Sequence, residues 1–81
     1  MIAQIEFAGN HEIQYDFFTN ITGLMPGDVV VCDTAKGYSC GTFVGYIPES
    51  NKATRWLVCR VPVEEHRAWL RAMLELEDML L

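Results

Sequence analysis

The chain has no Lys or Arg in its first 35 residues, no CxxC pair, and no apolar run near the roughly 20 residues that cross a bilayer. Each absence excludes something. Without a long apolar run, no membrane-spanning helix is expected. The start Met1-Ile2-Ala3-Gln4-Ile5-Glu6 has neither the basic end nor the apolar stretch of a signal peptide, so a cytoplasmic setting is expected. Three cysteines without close pairing do not read as a disulfide framework. Cys32, Cys40 and Cys59 read instead as reduced thiols, small apolar residues within strands. A zinc site using these three and His66 would lack the short ligand spacing such sites use, so neither metal nor cofactor is expected. No Gly-x-Ser-x-Gly elbow, Gly-Lys-Ser/Thr phosphate loop or His-Glu-x-x-His helix occurs. His11, His66, the cysteines and the carboxylates stand in no catalytic pattern. A Cys–His pair meeting only in space is the one arrangement that spacing leaves open. A non-catalytic protein is expected.

What is present bounds the fold. Eighty-one residues make one domain with a core that is small for its surface. The chain is 51% apolar, which excludes disorder. Charge is unevenly placed along it. Residues 1–35 carry Glu6, Glu12, Asp16, Asp28 and Asp33, a net −5, whereas residues 36–71 carry six basic and three acidic groups, a net +3. Glu75, Glu77 and Asp78 add −3, for an overall −5. A nucleic-acid binder normally shows a dominant basic footprint. The acidic excess points to protein partners with basic surface, or merely to a well-solvated exterior.

Ile5 and Phe7 alternate with Gln4 and Glu6, and Ile13, Tyr15 and Phe17 alternate with Glu12, Gln14 and Asp16. This period of two predicts a hairpin turning at Gly9-Asn10, with one polar face. Residues 19–27 read as a loop holding Gly23, Pro26 and Gly27. Val29–Thr34 reads as a third strand, turning through Ala35-Lys36-Gly37 into a fourth from Tyr38 to about Ile47. A three-residue loop with Gly37 left-handed would set Thr34 opposite Tyr38 and Cys32 opposite Cys40. Gly41 and Gly45 within the fourth strand mark bends where a sheet curls. Trp56–Val61 reads as a fifth strand, apolar on both faces, so that the helix or a partner covers one of them. A helix entered at Pro62 runs towards Leu81, with Glu64 and Glu65 at its positive end. The expectation is a mainly β chain of the α+β class: a five-stranded antiparallel small barrel over residues 1–61 and a C-terminal helix over 62–81.

Gly27-Asp28-Val29-Val30-Val31, with Thr34, Gly37, Gly41 and Val44, resembles the hairpin of PSP1-like and KOW-like SH3-type small barrels. The match covers about a quarter of the chain. It implies an SH3-like barrel of a kind common among small bacteriophage and mobile-element proteins. It also implies a host-directed interaction protein, such as an inhibitor of a bacterial host or defence factor. The KOW family binds RNA and protein through a basic surface, which this acidic chain largely lacks.

Two sets of candidate site residues follow. Lys36 at the hairpin tip, with Tyr38, Lys52 and Arg55, could offer charge beside stacking surfaces for nucleic acid, and Phe43, Tyr46 and Trp56 lie near them in sequence. Core packing is the competing role for such aromatics. On the helix, Trp69, Met73, Leu76 and Leu80 form a stripe about 60° wide, and Val63, Leu70, Leu74 and Leu81 a second centred about 110° away. His66 and Glu77 project between them. A helix resting on a small barrel needs one stripe, so the other is expected to meet a second chain, most simply a copy in a homodimer. The alternative is a helix wedged between barrel and loop, burying both. Glu77, with Glu75 and Asp78 at the helix's negative end, hints at a basic partner surface.

Overall fold

The computed structural model describes residues 1–8, 10 and 12–80, with Leu80 described by its backbone alone. Half of the expected Gly9-Asn10 turn, the candidate His11 and the stripe residue Leu81 therefore lie outside the described residues. Five strands precede one helix: β1 (Ile2–Glu6), β2 (Tyr15–Phe18), β3 (Val29–Thr34), β4 (Gly37–Ile47), β5 (Leu57–Arg60) and α1 (Val63–Leu80). The strands form one antiparallel sheet in the order β2-β1-β4-β3-β5. The sheet curls into a half-barrel, so the chain is mainly β with one C-terminal helix. Its two edges meet where Phe18 bridges Trp56 and the Phe18 amide donates to the Arg55 carbonyl at 2.9 Å.

The curl has two local causes. Gln4 pairs with Gly45 but Ile5 with Phe43, so Val44 is bulged out of β4 and the strand bends there. At Gly41 the neighbouring strand comes too close for any side chain. A Cβ would overlap the Ile5 Cγ2 and lie 3.1 Å from the Glu6 carbonyl and 3.2 Å from the Phe7 ring. Inside the curl sit Ala3, Ile5, Phe17, Leu24, Val30, Cys32, Phe43 and Leu57, with Phe7, Ile21 and Tyr46 packed against them. Loop 19–28 closes over this core. The Tyr46 hydroxyl accepts from the Leu24 amide at 3.0 Å and donates to the Ile21 carbonyl at 2.8 Å, satisfying backbone groups that strands do not reach.

Three expectations need correction. In the β3–β4 hairpin Thr34 pairs with Gly37, Cys32 with Ser39 and Val31 with Cys40, one residue from the expected register. Gly37, at φ 109°, joins the ladder itself, leaving a two-residue loop. The Thr34 hydroxyl tightens that loop by donating to the Gly37 carbonyl and accepting from the Lys36 amide. Second, β2 begins at Tyr15, so Ile13 is outside the strand, and both residues are exposed. Third, the helix neither rests on the barrel by one stripe nor wedges between barrel and loop. The packed element pairs are β3–β4, β1–β4, β3–β5 and β1–β2, and α1 is in none of them. Only Val61 and Pro62 link β5 to α1. The Pro62 carbonyl accepts the His66 amide at 3.0 Å, the first bond of the helix, and the exposed Arg60 bridges Glu65 at 2.8 Å across the junction. The helix extends the molecule to 57 Å along its longest axis, against 25 and 21 Å across.

Candidate functional site

Two surfaces bring the candidate residues together. One is a groove of about 940 Å³ running between the β2 edge, the β3–β4 hairpin tip and the 52–55 segment. All four residues read from the sequence as nucleic-acid contacts, Lys36, Tyr38, Lys52 and Arg55, line it. The hairpin positions Lys36 and Tyr38, the latter 77% exposed. The 50–52 loop is tied to β2, because the Ser50 hydroxyl donates to Asp16 and accepts from the Lys52 amide at 3.0 Å. That tie holds Lys52 at the rim. Arg55 reaches Asp33 at 3.4 Å, an exposed pair of small energetic consequence. Among the described residues neither lysine is ion-paired.

Sequence reading missed the groove's opposite wall. Phe7, Tyr15 and Phe17 line it, with Phe7 edge-on to Tyr15 at 5.5 Å and to Phe17 at 6.1 Å. Their alternation had assigned them to a buried strand face. Phe17 keeps its place in the core, whereas Tyr15, the first residue of β2, is exposed and opens into the groove beside the half-buried Phe7. Phe43 is a core residue and the half-buried Tyr46 packs on it, the two rings meeting at 4.7 Å, and neither lines the groove. Trp56 is partly exposed but leans on Phe18 at 5.4 Å across the seam, outside the groove lining.

The second surface is α1. No side chain from Glu64 to Met79 is buried, and only Val63 is half-buried. Trp69 is 57%, Leu74 61% and Leu76 55% exposed; Met73 and Leu70 are exposed too. The polar residues Arg67, Asp78, Arg71, Glu64 and Glu75 gather within about 80° of the helix circumference. His66, Glu77 and Glu65 interrupt an otherwise apolar remainder. His66 stacks on Trp69, with ring centroids at 6.0 Å and planes 18° apart. A helix of 18 residues draws most of its stability from packing an apolar face, and the apolar residues of this one from Trp69 to Leu76 are exposed.

No family model, curated protein or solved structure matches the chain.

The thiols separate by environment. Cys32 is buried and its pKa is pushed up to about 12, first by loss of solvent and then by the neighbouring Cys40. A thiol held protonated there is a poor nucleophile and a poor metal ligand. Cys40 and Cys59 are exposed on the two strands flanking β3, both in register with Val31. Among the described residues no three His, Cys, Asp or Glu side chains gather as a metal-binding group, and no helix is long and apolar enough to cross a membrane. Alkylation at about pH 8 should therefore modify Cys40 and Cys59 quickly and Cys32 only in denaturant. Mass spectrometry counts the adducts, and rapid modification of Cys32 in the folded chain would contradict its burial. The same shift has a pH consequence. An unfolded thiol releases its proton near about 8.5. Between there and about 12 only the folded chain keeps the proton, so stability falls as pH rises through that window.

Proposed function

We propose that this protein is a non-catalytic protein-interaction module whose binding element is α1. The observation that carries the reading is a helix whose broad apolar face is exposed and which belongs to none of the chain's packed element pairs. An exposed apolar surface of this kind marks an association site. Trp69, Met73, Leu76 and Leu80 form the partner-binding stripe, with Glu77 beside it. Trp69 is the natural anchor, since large aromatics dominate the energy of such contacts. The likeness of the β3–β4 hairpin to phage-type SH3-like barrels favours a cytoplasmic host or defence factor as the target of inhibition.

A second reading, a nucleic-acid-binding barrel, draws support from the groove, where Lys36, Lys52 and Arg55 stand around Tyr38, Tyr15 and Phe7. The stretch is aromatic and basic, as single-stranded nucleic acid requires. It ranks second because Asp33 and Asp16 lie among those bases and the chain is acidic overall.

One experiment separates the two. Immobilised protein is incubated with bacterial lysate beside a Trp69→Glu/Met73→Glu variant, whose exposed sites leave the half-barrel intact. The expected result is a protein retained by the parent chain and at least about tenfold depleted on the variant, roughly the cost of one lost anchor. Equal retention by both chains overturns the reading. Recovery of nucleic acid alone, released as salt rises, transfers the function to the groove.

A further inference from the structure

The charges flanking the second stripe of α1 name one occupant for it. Viewed down the helix, Leu70 and Leu74 centre this stripe; His66 and Glu77 flank one side of it, and Arg67 and Asp78 the other. Each flank therefore carries one basic-type residue near the start of the helix and one acidic residue near its end. A like helix running the opposite way, centred near residue 72, sets Leu70 across from Leu74 of the copy. The same register sets Arg67 across from Asp78 and His66 across from Glu77, and two-fold symmetry repeats each pair. From this pattern we propose that the second stripe is the seam of an antiparallel α1–α1 homodimer. The proposal rests on the reading of α1 as the interaction element, and it names a second copy of the chain as one of its partners.

Two further observations favour the antiparallel sense. A parallel pair would crowd Glu75, Glu77 and Asp78 of both chains at one end, already the negative end of each helix. It would also bring two half-barrels together at the other end, while paired helices approach to about 8–10 Å. The molecule is 25 by 21 Å across, and antiparallel pairing sends the half-barrels to opposite ends of the assembly. The centre of the proposed register nearly coincides with the middle of Val63–Leu80, so the helices overlap along their length. Trp69 and Leu76 face away from this seam, at about 120° and 140° from its centre, with Met73 to its side at about 80°, and they remain available to a different partner.

The test is a charge swap read by sedimentation or light scattering over concentrations up to about 100 μM, where a micromolar dimer is nearly complete. The parent chain is expected at twice the chain mass. Arg67→Asp and Asp78→Arg should each raise the dissociation constant about tenfold, since each creates two like-charge pairs. The double variant, with both changes in one chain, should return to within about twofold of the parent. Asp78→Arg keeps the test free of helix loss, because a cation there favours the isolated helix while opposing the dimer. A strict monomer overturns the proposal, and so does a dimer indifferent to the single changes or unrescued by the double. If the chain is monomeric yet retains a lysate protein through Trp69 and Met73, this proposal falls and the broader reading of α1 stands.

Discussion

Phe43→Ala is expected to cost about 3–5 kcal/mol, the range for emptying a buried aromatic site. Phe43 is 2% exposed and heads the fully buried side chains. It pairs with Ile5 across β1–β4 and meets the Tyr46 ring at 4.7 Å. Its backbone also clasps the loop over the core: its amide donates to the Asp28 carbonyl at 2.8 Å, and its carbonyl accepts from the Gly27 amide at 2.9 Å. The lost ring leaves a cavity at the junction of β1, β4 and that loop, with no spare layer of side chains to collapse into it. A domain of this length holds only about 4–12 kcal/mol in total, so the loss takes much of its stability. Circular dichroism should show the thermal midpoint falling by more than about 10 °C. A fall of only a few degrees would place the core elsewhere.

Gly41→Val should be about as damaging, for the opposite reason. A side chain at 41 has no volume to enter, because a Cβ would already overlap the Ile5 Cγ2 and crowd the backbone carbonyl of Glu6. The overlap falls on the side chain of Ile5, which is wholly buried and has no free space to move into, and the Glu6 carbonyl must give as well, so the β1–β4 contact has to loosen. Overpacking usually costs about 1–3 kcal/mol, and overlap with the fully buried Ile5 puts this case at the upper end, about 3 kcal/mol. Gly45→Ala is the matched control. A Cβ at 45 meets nothing within 4 Å and its φ is not positive, so that variant should fold as the parent does. Urea unfolding of the pair measures the difference. Equal midpoints would show that glycine at 41 reflects strand bending alone and not the close approach of Ile5.

The two glycines show how far local sequence carries. Both read as bends, since glycine weakens any strand it interrupts. Only the approach of β1 distinguishes Gly41, where space is absent, from Gly45, where it is open beside the Val44 bulge. The hairpin tip behaves alike. Thr34-Ala35-Lys36-Gly37 announces a tight turn, but Gly37 belongs to the ladder only through the register of the whole hairpin, from Val29–Thr42 to Thr34–Gly37. Tyr15 was legible as a strand residue and not as a groove wall, because period-two alternation gives the face a side chain takes, not where the core beneath that face ends.

The sequence by itself determined the element types, their order and the apolar stripes of α1. Those depend on periodicity, proline and glycine, which act within a few residues. It also placed Lys36, Tyr38, Lys52 and Arg55 among the candidate contacts, as charges and rings on turns near strand ends. Tertiary structure alone decided that these four share one groove with Phe7 and Tyr15, because β2 and the hairpin tip are brought together only by the curl of the sheet. It alone decided the exit of the helix. No pattern of apolar residues encodes the direction in which the chain leaves β5, and in that direction Trp69, Leu70, Met73, Leu74 and Leu76 of the two stripes stay exposed.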